Sequence, residues 1–165
     1  GPSQGSDAAG GGIEPANPDA PPEGTLNSAS GEVALGLGSY CWSPPQGSGN
    51  PALCADAIGI ITGADDLTVE AGATLEVTGD LTWPPMAIAY ALLWDAADEP
   101  IAAGDESQSF RAWQPGGGER ELAYGDHSVT LPEDLAPGRY MLAINYSAGP
   151  DRGSEATYGA ILIVE

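Results

Sequence analysis

The two cysteines are the residues best placed for chemistry, because Cys41 and Cys54 flank one loop rich in Pro, Gly, Ser and Asn. A metal site would need further ligands, yet there is no third cysteine, and the single histidine, His127, is far away in sequence. The spacing also differs from the CxxC motif of redox proteins. A disulfide is therefore the simplest interpretation, and it would stabilise the fold by roughly 3 kcal/mol. It would also indicate an oxidising compartment outside the cytoplasm.

Nucleophilic and acid–base catalysis find little support. A Ser-His-acid triad would have to use His127, which stands in Gly125-Asp126-His127-Ser128 without a preceding GxSxG motif. Carboxylates are abundant, but the sequence singles out no pair of the kind glycosidases use. We expect a protein that is not an enzyme, with a small hydrolase using His127 as the remote alternative.

Aromatic residues in loops point instead to recognition. In a plain sandwich order, the loops at 83–85, 113–118 and 148–155 emerge at one end. Trp83 and Trp113 would then be exposed rings beside Asp151 and Arg152, which suits a glycan or a peptide or protein ligand. The alternative is that both tryptophans close the open end of the core.

Acidic clusters raise the question of metal binding. The carboxylates at 65–66, 95–99 and 105–106 could hold a structural calcium ion where loops converge. However, no EF-hand string occurs, and acidic turns are more often solvated. We therefore expect no cofactor, with structural calcium as the alternative.

The charge balance limits the possible partners. The chain has 24 acidic residues against 4 arginines and no lysine, a formal net charge of −20. Such a surface repels phosphate backbones and anionic headgroups, so we expect no nucleic-acid binding. It favours solubility at high salt or attraction for cations. Alternatively, it reflects the composition of an envelope protein from a salt-adapted or GC-rich organism.

The first part of the chain differs in composition from the rest. Residues 1–30 contain only Ile13 and Leu26 as large apolar groups, which predicts a disordered acidic tether before a domain at 31–165. Residues 1–3 resemble the remnant of a cleaved tag, so the absence of a signal peptide carries no information. The longest apolar run, at 86–94, is half of what a membrane-spanning helix needs. We therefore expect membrane attachment only through an N-terminal lipid anchor outside this sequence.

Short alternating apolar patterns run through the domain and predict strands. The alternation is seen at Val33–Leu37, Leu67–Val69, Leu75–Val77, Met86–Trp94, Tyr140–Tyr146 and Tyr158–Val164, with weaker strands at 107–113 and 119–131. A helix over Met86–Trp94 is the rival reading, because Ala and Leu favour helices. Six to eight strands separated by turns predict a single β-sandwich.

The segment Leu135-Ala-Pro-Gly-Arg-Tyr140 places a tyrosine at the start of a strand after a Pro-Gly turn. It resembles the tyrosine corner of immunoglobulin-like and fibronectin type III-like domains, in which the hydroxyl bonds to the backbone a few residues upstream. We therefore expect an all-β, immunoglobulin-like sandwich.

The segment Gly38-Ser-Tyr-Cys-Trp42, followed by Cys54-Ala-Asp56, resembles a motif of small bacterial secreted proteins and lipoproteins without assigned activity. The resemblance implies an envelope location and a Cys41–Cys54 disulfide. Together these features predict a non-catalytic binding or accessory module of the cell envelope, secreted or anchored to the outer face of a membrane. A purely structural spacer is the alternative.

Overall fold

The computed structural model describes residues 21–42, 53–57, 59–79, 88–97, 99–104, 110–147 and 155–165. These residues form strands and no helix, which confirms the all-β prediction. In particular, they contain no helix long and apolar enough to cross a membrane. The strands are β1 Thr25–Ser28, β2 Gly31–Ala34, β3 Gly36–Trp42, β4 Leu53–Ala55, β5 Ile60–Val69, β6 Thr74–Thr78, β7 Ile88–Asp95, β8 Ala102–Ala103, β9 Arg111–Trp113, β10 Arg120–Leu122, β11 Tyr124–Gly125, β12 Ser128–Thr130, β13 Gly138–Ser147 and β14 Glu155–Val164.

The described strands form three open sheets. Sheet 1 has the order β11-β12-β6-β1-β2, sheet 2 the order β10-β7-β13-β14-β3-β4, and sheet 3 the order β5-β9-β8. The long hairpin of β13 and β14 lies in the middle of sheet 2, paired from Gly138↔Val164 to Ser147↔Glu155. Strand β7 pairs with one edge of that hairpin and β3 with the other.

Sheets 1 and 2 face each other across the main core. Leu26 and Leu75 of sheet 1 and Leu142 and Ile144 of sheet 2 are each fully buried in it. Because side chains alternate along a strand, each sheet contributes every second residue to this core. The outward residues of sheet 1 are mostly polar, as expected for an antiparallel sheet with one solvated face.

Sheet 2 is buried on both faces over much of its length. Met141, Ala143 and Ile161 point away from the main core into a second core with Trp94 and Trp113. Sheet 3 covers this second core. The opposed apolar faces predicted for the last strand are confirmed, since its even-numbered residues from Tyr158 to Val164 line the main core and Ile161 and Ile163 the second.

Strand β5 crosses sheet 2 at a pair of glycines. Gly36 of β3 and Gly159 of β14 are directly paired. A Cβ added at Gly36 would lie 2.6 Å from the Thr62 backbone, and one added at Gly159 would lie 2.5 Å from the Ile61 carbonyl oxygen. Only glycine allows backbones to approach this closely. Strand β5 can therefore begin in sheet 3 and end with Leu67 and Val69 in the main core.

The start of the folded domain lies earlier than predicted. Thr25–Ser28, assigned to the tether from the sequence, form β1, which pairs with β2 and β6. Leu26 is fully buried, and the Pro22 carbonyl accepts a buried hydrogen bond of 2.6 Å from the Tyr158 hydroxyl. A single large apolar residue was too weak a signal to reveal this strand. Residues 1–20, which hold the rest of the predicted tether, lie outside the described residues.

One other segment differs in detail from the pattern seen in the sequence. The weak strand predicted over 119–131 is divided into β10, β11 and β12. The last two are joined through Asp126 and His127, whose φ values are 51° and 59°. Positive φ at both central residues is the requirement of a tight type I′ hairpin turn. The strand predicted over 86–94 is confirmed for its described part, which forms β7 and not the alternative helix.

The hydrogen bond expected from Tyr140 to the backbone upstream is present. The Tyr140 hydroxyl donates a hydrogen bond of 2.6 Å to the carbonyl oxygen of Ala136, four residues upstream. This bond links the turn at 136–139 to the start of β13.

Candidate functional site

The predicted disulfide joins Cys41 and Cys54, which stand directly opposite each other on β3 and β4 with a Cα–Cα distance of 4.0 Å. It fixes β4 to the edge of sheet 2. The chain leaving β4 is held as well, because the Ala57 amide donates to the Ser39 hydroxyl oxygen at 2.9 Å. Asp56 lies between these two attachments. The disulfide indicates an oxidising environment.

The outer face of sheet 2 changes character where sheet 3 ends. Along β13, Met141 and Ala143 face the second core, but the next residues on that face are Asn145 and Ser147. Register places Asn145 opposite Tyr90 of β7 on one side and opposite Thr157 of β14 on the other. Polar side chains from three neighbouring strands therefore converge on one area.

A pocket of about 280 Å³ lies over this area. We call it the Tyr90 pocket; the lining residues that matter chemically are Ser39, Asp56, Tyr90, Asn145, Glu155 and Thr157. Tyr90 is 44% exposed, one of the few large apolar side chains in the described structure to be so accessible. The lining thus combines an aromatic ring, two carboxylates, an amide and hydroxyls.

Three polar side chains of the pocket, those of Asn145, Thr157 and Ser39, make hydrogen bonds within the protein. The Thr157 hydroxyl donates to Asn145 Oδ1 at 2.6 Å, which leaves the amide nitrogen Nδ2 as the donor that Asn145 offers a ligand. Asp56 follows the stapled strand β4, and Glu155 pairs with Cys41 across β14 and β3. The arrangement can accept and donate hydrogen bonds around an aromatic surface.

The prediction that the Trp113 ring is exposed is wrong. Trp113 is only 1% exposed, because pairing of β9 with β5 turns its ring into the second core. Its Nε1 donates to the buried Thr62 hydroxyl at 2.9 Å. The guanidinium carbons of Arg111 and Arg139 lie 5.3 and 5.9 Å from its ring centroid, within cation–π range.

The other three residues predicted to bind ligand, Trp83, Asp151 and Arg152, lie outside the described residues. Their proximity to one another and their exposure stay predictions.

Among the described residues, the carboxylates considered for calcium are not gathered into one place. Asp65 and Asp66 lie within β5. Asp66 forms an ion pair with Arg111, in which Oδ1 lies 2.7 Å from Nη2, but the angle does not meet the requirement of a hydrogen bond. Within the described ranges, no three or more His, Cys, Asp or Glu side chains converge in a way that could hold a metal ion. Asp98, Asp105 and Glu106 fall outside those ranges. His127, the candidate for a hydrolase, occupies the type I′ turn.

The Tyr90 pocket is not among the sites predicted from the sequence, although a signal for it exists. Asn145 interrupts the apolar run of β13 on the face that Met141 and Ala143 share, and Thr157 does so in β14. A polar residue where the pattern requires an apolar one marks either a partnered core group or a site. Which of these applies depends on the pairing of distant strands.

No protein-family model matches this sequence, and no curated protein or solved structure matches it significantly. The chemistry of the Tyr90 pocket therefore carries the functional conclusion by itself.

Proposed function

We propose that this chain is a non-catalytic binding or accessory module of a bacterial cell envelope, the folded head of a secreted or lipid-anchored protein. The Tyr90 pocket is the observation that carries the proposal. It presents an exposed aromatic ring and preset polar groups on a rigid sheet, and binding sites commonly combine these features. The Cys41–Cys54 disulfide supports the extracytoplasmic location.

An immunoglobulin-like identity is part of this proposal. It is supported by the two facing antiparallel sheets and by the Tyr140–Ala136 hydrogen bond of the tyrosine corner. The third sheet and the local position of the disulfide are departures from the plain immunoglobulin pattern, whose bridge joins two sheets.

Binding to immobilised glycan and peptide panels tests the proposed function. We expect the wild-type protein to bind at least one ligand and Tyr90→Ala to weaken that binding at least tenfold, because the ring supplies the apolar contact. Ile101→Ala is the matched control, since Ile101 is a similarly exposed apolar residue, 48% accessible, that does not line the pocket.

Absence of binding across both panels would overturn the binding function and favour the structural spacer. Equal loss of binding in Tyr90→Ala and Ile101→Ala would also overturn it, because the effect would then not belong to the pocket.

A further inference from the structure

We propose that the ligand of the Tyr90 pocket is an uncharged saccharide. This inference rests on the proposed binding function and specifies its ligand class. It depends on three features of the described residues: the aromatic ring, the mixture of donors and acceptors, and the charge of the lining.

The Tyr90 ring supplies an exposed apolar surface beside the polar groups of the lining. A pyranose ring has one face of C–H groups and a rim of hydroxyls, so it matches an aromatic surface bordered by polar groups. Tyrosine suits this role because its ring is rigid and amphipathic, and ordering it costs little entropy. Tyr90 is paired with Asn145 of β13, and the next residue of β7, Ala91, is paired on both sides, by β10 and β13, which holds the Tyr90 backbone in place.

The polar groups offer both kinds of hydrogen bond. The carboxylates of Asp56 and Glu155 accept, whereas the Asn145 amide nitrogen donates. Sugar hydroxyls are donors and acceptors at once and can use both sets. An ammonium ion only donates, so it would use the carboxylates and leave the amide nitrogen without a partner. The mixed lining therefore matches a polyhydroxyl ligand with all of its polar groups and an amine with its carboxylates alone. Because the negative charge of the pocket also attracts a cation, an amine is the competitor that the experiment must separate from a saccharide.

Charge excludes acidic sugars. Two carboxylates border the pocket, and the formal net charge of the whole chain is −20. Uronic acids, sulfated sugars and phosphorylated sugars would be repelled by both the local and the overall field. A neutral saccharide avoids this repulsion.

The dimensions and rigidity of the pocket indicate a short ligand. Its volume of about 280 Å³ is close to the lower end of the roughly 300–1,000 Å³ typical of small-molecule sites. The Thr157–Asn145 and Ala57–Ser39 hydrogen bonds preset three of the lining side chains, and the disulfide positions the strand before Asp56, so these groups need little ordering on binding. A pocket of this size accommodates one or two sugar units of a longer chain.

Saturation-transfer NMR and calorimetry on the oxidised protein test the inference. The probes are cellotetraose, mannotetraose and tetra-N-acetylchitotetraose as neutral saccharides, tetragalacturonate as an acidic one, spermidine as an amine, and a random peptide library. We expect at least one neutral saccharide to bind, tetragalacturonate and spermidine to bind at least tenfold more weakly, and Tyr90→Ala and Asn145→Ala each to weaken saccharide binding about tenfold.

Two variants serve as controls. Ile101→Ala should bind the saccharide as the wild type does. Glu155→Gln removes one pocket charge at nearly constant shape, and the preference for the neutral saccharide over tetragalacturonate should shrink at least threefold. Circular dichroism confirms that each variant is folded before binding is compared.

The outcomes separate the two proposals. If a peptide or spermidine binds in a Tyr90-dependent manner and no neutral saccharide does, the saccharide inference is wrong and the binding function stands. If tetragalacturonate binds as well as the neutral saccharides, the charge argument fails and the inference with it. If no probe binds, or if Tyr90→Ala leaves all binding unchanged, both proposals are wrong.

Discussion

Three tyrosines form a cluster inside the main core. Tyr146 packs edge-to-face against both Tyr124 and Tyr158, with ring centroids 5.6 Å apart in each case. The Tyr124 and Tyr146 hydroxyls are hydrogen-bonded to each other, and the Tyr158 hydroxyl donates to the Pro22 carbonyl. Burial raises the pKa of each of the three hydroxyls above its ordinary value. The cluster therefore exists in neutral form in the folded protein.

Raised tyrosine pKa values predict a specific loss of stability at high pH. Below pH 10 the three hydroxyls are neutral in both folded and unfolded chains, and their contribution to stability is complete. Above pH 10 they ionise first in the unfolded chain, so the free energy of unfolding should fall as the pH rises. We expect the absorbance of the buried tyrosinates at 295 nm to appear together with loss of near-ultraviolet circular dichroism. Ionisation of the cluster in a protein that keeps its native spectrum would contradict this.

The tyrosine corner should contribute a measurable amount to stability. Tyr140→Phe removes only the hydroxyl that donates to Ala136, and a typical intramolecular hydrogen bond contributes about 0.5–1.5 kcal/mol. We expect a loss of that size in urea unfolding, with an unchanged m-value. Tyr90→Phe is the control, since the exposed Tyr90 hydroxyl lies far from that turn, and an equal loss in both variants would contradict the assignment.

Features that depend on neighbours in sequence were the predictable ones. The Cys41–Cys54 pair, the alternating faces of the last strand and the Tyr140 corner each lie within one short segment. Burial of Trp113 and formation of the Tyr90 pocket depend instead on which distant strands pair and in which register. A period-two pattern fixes the two faces of a strand but not what covers them, so the third sheet was not foreseen.

Among the strands, β4 depends on the Cys41–Cys54 disulfide for its position. It has three residues, pairs only with β3 among the described strands, and forms the edge of sheet 2. Three backbone pairs hold such a strand weakly. The disulfide at its middle residue therefore positions β4 and, through it, Asp56.

Removing the disulfide should destabilise the protein. Closing the loop between Cys41 and Cys54 limits the unfolded chain, which corresponds to roughly 3 kcal/mol on the chain-entropy estimate. We expect the double variant Cys41→Ala, Cys54→Ala to lose about that much in urea unfolding and to show faster amide exchange in β4 than in β13. In the native protein, thiol titration should find no free sulfhydryl, and a positive titration would contradict both the bond and the inferred compartment.

The close approach of β5 to the paired glycines predicts that Gly36 cannot be replaced without a loss of stability. Gly36→Ala would place a methyl group 2.6 Å from the Thr62 backbone, where neither strand can move without breaking its own pairing. We expect a loss of about 1–3 kcal/mol, the usual cost of overpacking. Gly31→Ala is the matched control, because a Cβ there meets nothing within 4 Å. A tolerated Gly36→Ala would show that β5 does not lie this close.

For the molecule as a whole, charge repulsion should make stability depend on salt. The formal charge of −20 on 165 residues repels itself most in the compact state. Raising NaCl from 0.05 to 1 M screens this repulsion, so we expect Tm to rise by roughly 2–4 °C for each kcal/mol of repulsion removed. Glycerol at equal osmolality is the control. A Tm that responds equally to both, or to neither, would contradict the electrostatic explanation.

One feature links the two hydrophobic interiors. Thr62 of β5 accepts the indole hydrogen bond of Trp113 on one side of sheet 2, and Leu67 and Val69 of the same strand fill the interior on the other. Opening either core would displace β5, and displacing β5 would disrupt the other core as well. The slowest-exchanging amides of all three sheets should consequently report one common opening reaction, so that the protein is lost or kept as a unit.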